Sequence, residues 1–583
     1  MSVTVFTRGY DFQRSGVNPS ESILTAQAVA TRGIKRLFAL PVPDDARGCD
    51  ASPLIVPGVH LPNGQTRDLV FLASMGNCVY AYDCNDGTLV WTRKLGTPIK
   101  STAQIDTFTI NQFWGIISTP VIQNGVMYGC AWITPNNSGA AKDGQHFAFA
   151  IDIKTGHDVH PPLSLEGTVY SAGPGLPQHG FRAAERKQRS ALAITKGALI
   201  IPFGTIAESA ATARGWLIAI DLSAWKVAAS WVSTVRGSGG GIWMAGAGPA
   251  VLPDGDLAFI TGNGEFDAVT DFGESFVRLR YSPANGHTPA QFSVVDWWTP
   301  WTDDARTGGN PEGEGPPKPS NFRRVAHLAA RGLLRDGMAA GEWGDMDLGS
   351  GGAVYVPSLD IIAGAGKDGV LYATKASNMG KTKPTELAPS ANQANYAKLA
   401  LPPIFFTYYP PNLNPAPARI ETLNTLFAGR THHQHGAPIS FNSVEFGPML
   451  FNWGENENGR AWRLSTAGCT YLGCTAEAAS PNSPVPPGGM PGGMLSLSCN
   501  GTERGSAVLW ACVPYDNANT MKSAGRLLAY GATNVRNGLL VKLWDSQDWN
   551  QQFTHNKFGC PVVANGKLFV PTYDGSVLVF GLA

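Results

Sequence analysis

Regular helical periodicity is almost missing from this 583-residue chain. Ala326–Gly337 is one of the few short stretches that carry it, which argues against a helical bundle or a coiled coil. Long hydrophobic runs are missing too: none approaches the ~18 residues of a membrane-spanning helix. Neither sign of charge is in excess, with 44 basic and 44 acidic residues. A chain so balanced offers no electrostatic footprint for nucleic acid or anionic lipid, and nucleic-acid binding is set aside. No Cys-x-x-Cys-His occurs among the nine cysteines, so covalent c-type haem is excluded. Cys469 and Cys474 flank Thr-Tyr-Leu-Gly, read as a short loop that either closes a local disulfide or holds two reduced thiols. The N-terminus lacks the charged, apolar and small-residue zones of a secretory signal. The expectation is a periplasmic or secreted protein in its mature form, with a cytoplasmic one as the alternative.

What is abundant is turn chemistry. The chain holds 68 Gly and 42 Pro, and 43% of it is apolar, the profile of a folded, turn-rich protein. Short apolar runs alternate with Gly, Asp, Asn and Pro: Leu69–Ala73, Asn77–Tyr82, Val126–Cys130, Ala198–Pro202, Leu257–Thr261, Ala353–Pro357 and Lys567–Pro571. Many strands at close spacing predict an all-β sandwich, barrel or propeller.

A weak internal repeat chooses among these. Ala81-Tyr-Asp83-Cys-Asn-Asp-Gly87-Thr-Leu-Val-Trp91 is echoed by Ala150-Ile-Asp152-Ile-Lys-Thr-Gly156 and, more loosely, by Ala219-Ile-Asp221-Leu. A strand ending in Asp, a Gly turn and a strand bearing Trp form a unit that repeats radially in propellers. Gly566–Phe580 makes two strands around Asp574-Gly575 and would complete a blade with the N-terminal strand near Arg36–Leu40, closing a ring. Thr302–Lys318, Thr382–Gln393 and Thr475–Pro491 read as loops on the faces.

The repeat resembles the tryptophan-docking motif of propellers that bind pyrroloquinoline quinone (PQQ). A second stretch strengthens the resemblance: Gly239-Gly-Gly-Ile-Trp243-Met-Ala-Gly leads to the strand Leu257–Thr261 and then to Asn263. It is similar to the quinone-stacking tryptophan and calcium-binding asparagine of the quinoprotein alcohol dehydrogenases, the methanol-dehydrogenase type. This resemblance implies one domain over residues 1–583, an all-β propeller of eight four-stranded blades with long face loops. It also implies PQQ and Ca²⁺ or a lanthanide as cofactors, an alcohol or sugar-like hydroxyl as small-molecule substrate, and an external electron acceptor. Carried over residue by residue, Trp243 and Gly241 would lie against the quinone and Glu208 and Asn263 would bind the metal. Glu342-Trp-Gly-Asp345-Met-Asp347 looks like the family's Trp-Asp-x-Asp segment with one glycine inserted. Asp345 would then be both catalytic base and metal ligand, and Asp347 an extra metal ligand. Asp-x-Asp on extended backbone sends both carboxylates to one side. Lys367, in Ala-Gly-Ala-Gly-Lys-Asp-Gly, would polarise the quinone carbonyl.

Departures leave alternatives open. The family's adjacent cysteine pair is missing, so another group would cover the second quinone face, and Phe113-Trp114-Gly115 is placed to supply an aromatic cover. In its glycine run, Asp345-Met-Asp-Leu-Gly-Ser, His435-Gly-x-Pro and Met490-Pro-Gly-Gly-Met the chain looks closer to a poorly characterised bacterial group of PQQ-like propellers. Thr431-His432-His433-Gln434-His435 has three imidazoles but no regular ligand spacing, and is read as structural before metal-binding. His435, Trp453 and Glu455 are placed together as a polar substrate pocket. The rival readings are a non-quinone propeller that binds protein or glycan, and a lyase or hydrolase using His435, Glu455 and Asp347.

Overall fold

The computed structural model describes residues 2–208, 210–299, 347–367, 370–381, 405–408, 433–465, 468–482 and 490–583. In blade 1 the turn-bounded runs become four antiparallel strands: Leu54–His60, Thr66–Ala73, Cys78–Asp83 and Leu89–Lys94. The turn after the third strand shows why the sequence reverses there. Asp83 accepts the Asn85 amide at 2.8 Å, and Gly87 adopts φ 75°, a conformation glycine takes without a Cβ clash. Trp91, on the outermost strand, donates through Nε1 to the Ile153 carbonyl of the next blade at 3.0 Å. Trp225, just before the outermost strand of blade 3, bonds in the opposite sense, donating to the Pro161 carbonyl of blade 2 at 2.7 Å. Indole bonds of this kind lock neighbouring sheets together.

Among the described residues the pattern yields eight four-stranded blades. Their innermost strands are Leu54–His60, Val121–Gln123, Ala193–Thr195, Ala250–Val251, Ala353–Val356, Ile439–Ser443, Met494–Ser498 and Val562–Ala564. Blade 8 closes the ring as expected. Its three C-terminal strands are joined by Ile34–Pro41, antiparallel to Ser576–Leu582. The core lies between the sheets, in clusters that each draw on neighbouring blades.

The N-terminal segment does something the repeat does not foreshadow. Residues 5–18 reach all eight innermost strands or the residue just before them. Val5 exchanges backbone bonds with Ile55, and the carbonyls of Phe6, Phe12, Gln13, Ser15 and Gly16 accept from Ile122, Val251, Tyr355, Ser440 and Leu497. Arg14 donates to the Leu192 carbonyl at 2.9 Å, beside blade 3, and Asn18 to the Val563 carbonyl at 3.0 Å, in blade 8. The segment therefore crosses the central channel. It leaves a cavity of about 40 Å³ beside Arg8, Tyr10 and Arg14.

Three expectations change or fall outside the structure. Cys469 and Cys474 do not flank a loop: both lie on the single strand Gly468–Ala478. Five positions along extended chain separate them by roughly 13 Å or more, too far for a shared disulfide. The same strand turns the first residues of Thr475–Pro491 into sheet. Ala326–Gly337, Thr302–Lys318 and Thr382–Gln393 lie outside the described residues. No described helix is long and apolar enough to cross a membrane.

Candidate functional site

Strand order decides where the chemistry collects. In an up-and-down four-stranded blade, the loop entering the first strand and the loop joining the second to the third share one end. Trp243, Asp347 and His435 precede the first strands of blades 4, 5 and 6. Asn263, Lys367 and Glu455 follow the second strands of the same blades, and Glu208 follows that of blade 3. All the expected site residues that the structure describes thus sit on one face, in sequential blades.

Five of them form a chain of hydrogen bonds and an ion pair. Trp243 donates through Nε1 to Glu208 Oε1 at 2.9 Å, and Asn263 Nδ2 lies 3.4 Å from Glu208 Oε2. The Asn263 backbone amide donates to Asp347 Oδ1 at 2.9 Å, while the Asp347 amide donates to Asn263 Oδ1 at 2.8 Å. Lys367 Nζ stands 2.9 Å from Asp347 Oδ2. Glu208, Asn263 and Asp347 are therefore brought together, with Lys367 beside them. Asp345 lies outside the described residues.

Glycines make this approach feasible. A Cβ on Gly204 would lie 2.6 Å from ring atoms of Trp243, and one on Gly241 would lie 2.7 Å from its Nε1. The indole rests against bare backbone, half-buried, as a stacking surface needs. A Cβ on Gly262 would lie 2.3 Å from Asp347 Oδ1. Directly after the tryptophan, Met244 and Ala245 both take left-handed φ values of 50° and 47°. Such backbone is costly for residues with a Cβ and is held here by its surroundings, including an Arg8 bond to the Ala245 carbonyl at 3.3 Å.

Beside this chain lies a cationic wall that the sequence did not announce. Lys187 Nζ sits 4.1 Å from the centroid of the Trp114 ring, and the Arg189 guanidinium lies 4.0 Å from that of Phe558. Trp114, expected as an aromatic cover, is buried in a core cluster, and a lysine occupies the space over its ring. Burial, followed by repulsion from Arg189, lowers the Lys187 ammonium to about 7. Burial and Arg189 likewise lower Lys557 to about 8. Lys187 also feels Glu208, and Lys557 feels Glu455, so the wall joins the two groups of acids.

The third group is on blade 6. His435 Nε2 lies 3.1 Å from Glu455 Oε1, and His433 Nδ1 lies 3.8 Å from the same oxygen. His435 is 2% and Glu455 0% exposed. Burial holds the His435 imidazole well below its ordinary pKa, helped by the neighbouring His433 and Lys367. Burial likewise pushes the Glu455 carboxyl well up, against the pull of Lys367 and Lys557. Trp453 is not part of this pocket. Its ring is 1% exposed in the core of blades 6 and 7, donates to the Glu457 carbonyl at 2.7 Å, and packs on the backbone of Gly459 and Gly493. His433 takes the place expected of Trp453. Its signal was present in His433-Gln-His435, because i and i+2 on extended backbone point to one side.

No protein-family model and no curated protein sequence matches the chain. Among solved structures it is similar to the quinohemoprotein alcohol dehydrogenase from Comamonas testosteroni, at 14% identity and TM-score 0.51, over 99% of this chain and 80% of that one. It is also similar to the quinohemoprotein alcohol dehydrogenase ADHIIG from Pseudomonas putida HK5, at 15% identity and TM-score 0.49, over 100% of this chain and 80% of that one. A europium-containing methanol dehydrogenase aligns at 11% identity and TM-score 0.36, over 99% and 78% of the two chains. The first likeness is one of fold. The chain has the β-propeller fold.

Proposed function

We propose that the protein is a PQQ- and metal-dependent oxidoreductase that oxidises an alcohol or sugar-like hydroxyl at the mouth of its central channel. One observation carries this reading: the chain Trp243–Glu208–Asn263–Asp347–Lys367 joins an aromatic platform, oxygen donors, a carboxylate and an ammonium within hydrogen-bonding distance of one another. The donor set suits a hard cation, which takes carboxylate and amide oxygens at ~2.3–2.6 Å. Glu208, Asn263 and Asp347 would hold that cation, and Trp243, seated on Gly204 and Gly241, would carry the planar quinone. When bound, the quinone would supply the two-electron acceptor and the cation would act as a Lewis acid.

The protein's own part is then positioning and proton transfer. Asp347, the described carboxylate next to both Lys367 and Asn263, would take the hydroxyl proton. The Lys367 ammonium would balance its charge and stabilise negative charge developing nearby. Lys187, Arg189 and Lys557 would draw the carboxylates of the quinone cofactor into the mouth. Electrons would leave to an external acceptor. The test is reconstitution with PQQ plus Ca²⁺ or a lanthanide, followed by an absorption spectrum and a dye-linked assay on simple alcohols and sugars. A stoichiometric quinone spectrum with substrate-dependent dye reduction is expected. No PQQ binding with metal present would shift the reading to a propeller that has kept the fold and binds another ligand.

A further inference from the structure

We propose that His433, His435 and Glu455 form a second metal site, for a divalent transition ion of the zinc class, distinct from the all-oxygen group at Glu208, Asn263 and Asp347. The site goes beyond the quinoprotein reading and does not depend on it. One ligand atom from each residue lies within 4.8 Å of the others. Ligands bound tetrahedrally at ~2.0–2.1 Å stand roughly 3.4 Å apart. The His435–Glu455 and His433–Glu455 separations of 3.1 and 3.8 Å bracket that spacing. Two imidazole nitrogens and one carboxylate suit a borderline transition metal, whereas calcium and the lanthanides prefer oxygen. Three protein ligands leave a fourth position for water or substrate.

The backbone builds the group deliberately. His433 and His435 point to the same side of one extended segment, and their rings meet at 5.6 Å. Gln434, between them, is engaged elsewhere: its Nε2 donates to Glu457 at 3.1 Å and its Oε1 accepts from Asn452 at 3.2 Å. The Glu455 amide donates to the His433 carbonyl at 2.9 Å, tying the carboxylate-bearing loop to the histidine segment. His435 and Glu455 occupy on blade 6 the positions that Asp347 and Lys367 occupy on blade 5, so the ion would face the same channel mouth. A buried carboxylate beside one buried and one half-buried imidazole is also an arrangement that a divalent cation stabilises directly.

The experiment is titration of the metal-stripped full chain, without PQQ, with Zn²⁺ by calorimetry and with Co²⁺ by visible absorption. One equivalent should bind, with Co²⁺ showing the intense bands of a four-coordinate ion, and excess Ca²⁺ should not displace it. His435→Ala and Glu455→Gln should each weaken Zn²⁺ more than the roughly 10–100-fold typical of losing an outer-shell partner. His433→Ala, at the less buried position, serves if either of those fails to fold. Glu208→Gln should leave Zn²⁺ affinity unchanged. Absence of stoichiometric Zn²⁺ binding, or unchanged affinity in folded His433→Ala and His435→Ala, overturns the site. Zn²⁺ binding without PQQ binding overturns the quinoprotein reading alone, and the reverse result overturns this site alone.

Discussion

Asn263 and Asp347, 84 residues apart in sequence, bind each other twice. Each backbone amide donates to the other's side chain, at 2.9 and 2.8 Å. The pair bridges blades 4 and 5 and leaves Asp347 Oδ2 facing Lys367. This makes Asp347 a carboxylate fixed in orientation, which is what a proton acceptor needs.

Replacing Asp347 with Asn keeps the shape and one acceptor oxygen but removes the charge. If Asp347 takes the substrate proton, the dye-linked kcat should fall by ~10²–10⁴-fold, the usual range for a general base. The thermal midpoint should change little beside that loss. Activity within a few-fold of wild type would exclude Asp347 as the base and return the role to Asp345.

Trp243 and Trp91 should fail differently. Trp243→Ala should abolish PQQ binding in calorimetry while leaving a folded propeller, because its half-buried ring lies on bare glycine backbone rather than inside a sheet interface. Trp91→Ala should leave the site intact and act through stability. Its Nε1 bond to Ile153 joins blades 1 and 2, but the ring is only half-buried. A loss of about 2–3 kcal/mol is expected, below the 3–5 of a fully buried large ring. Equal effects of the two substitutions on thermal unfolding and on PQQ affinity would contradict this division.

How far the sequence anticipated these sites depended on the kind of interaction. The eight blades and their closure were legible, because Asp-Gly turns and apolar runs are local and repeat. Trp243 and Asn263 were legible because a glycine run and a strand end leave marks within a few residues. The choice between Asp345 and Asp347 was not, since the inserted Gly344 shifts the register and contact with Asn263 is set across blades. Lys187, Arg189 and Lys557 carry no local sequence signal, because only the fold gathers them around Trp114 and Phe558. His433 was not placed beside Glu455, because the histidine cluster has no regular ligand spacing and the contact is set by the fold. The channel-crossing residues 5–18 had no sequence signal, because most of their bonds go backbone to backbone.

Lys187 gives the site a pH signature. Burial lowers its ammonium to about 7 in the folded protein, from an ordinary value of about 10.5. Between those values the unfolded chain holds a proton that the folded chain does not, so this residue makes stability rise with pH from about 7 upward. Below pH 7 both states are protonated and the penalty is complete. Lys187→Met should flatten that rise in thermal midpoint between pH 7 and 9. An anionic ligand beside Lys187 would favour the charged form, so PQQ should bind with proton uptake and more weakly as pH climbs through 7 to 8. Calorimetry in buffers of different ionisation enthalpy measures that uptake. Identical heats across buffers would separate Lys187 from the ligand.

Arg14 tests the channel-crossing segment. It is 2% exposed and donates to the carbonyls of Pro249, Arg8 and Leu192 and to the Thr7 hydroxyl, at 3.0, 3.0, 2.9 and 2.8 Å. Burial lowers its guanidinium to about 9, and the nearby Asp11 partly opposes this. Arg14→Ala removes donors from four acceptors in a space too enclosed for water to replace them all, and should destabilise by about 3 kcal/mol or more. Arg14→Lys should recover little of that, since one ammonium cannot reproduce the planar fork that reaches Pro249 and Leu192 together. Arg36→Ala, at an exposed position of the closing strand, should stay within about 0.5 kcal/mol of wild type. Denaturant unfolding of the three variants decides the matter. If Arg14→Ala unfolds no more readily than Arg36→Ala, the segment rests in the channel without holding the blades.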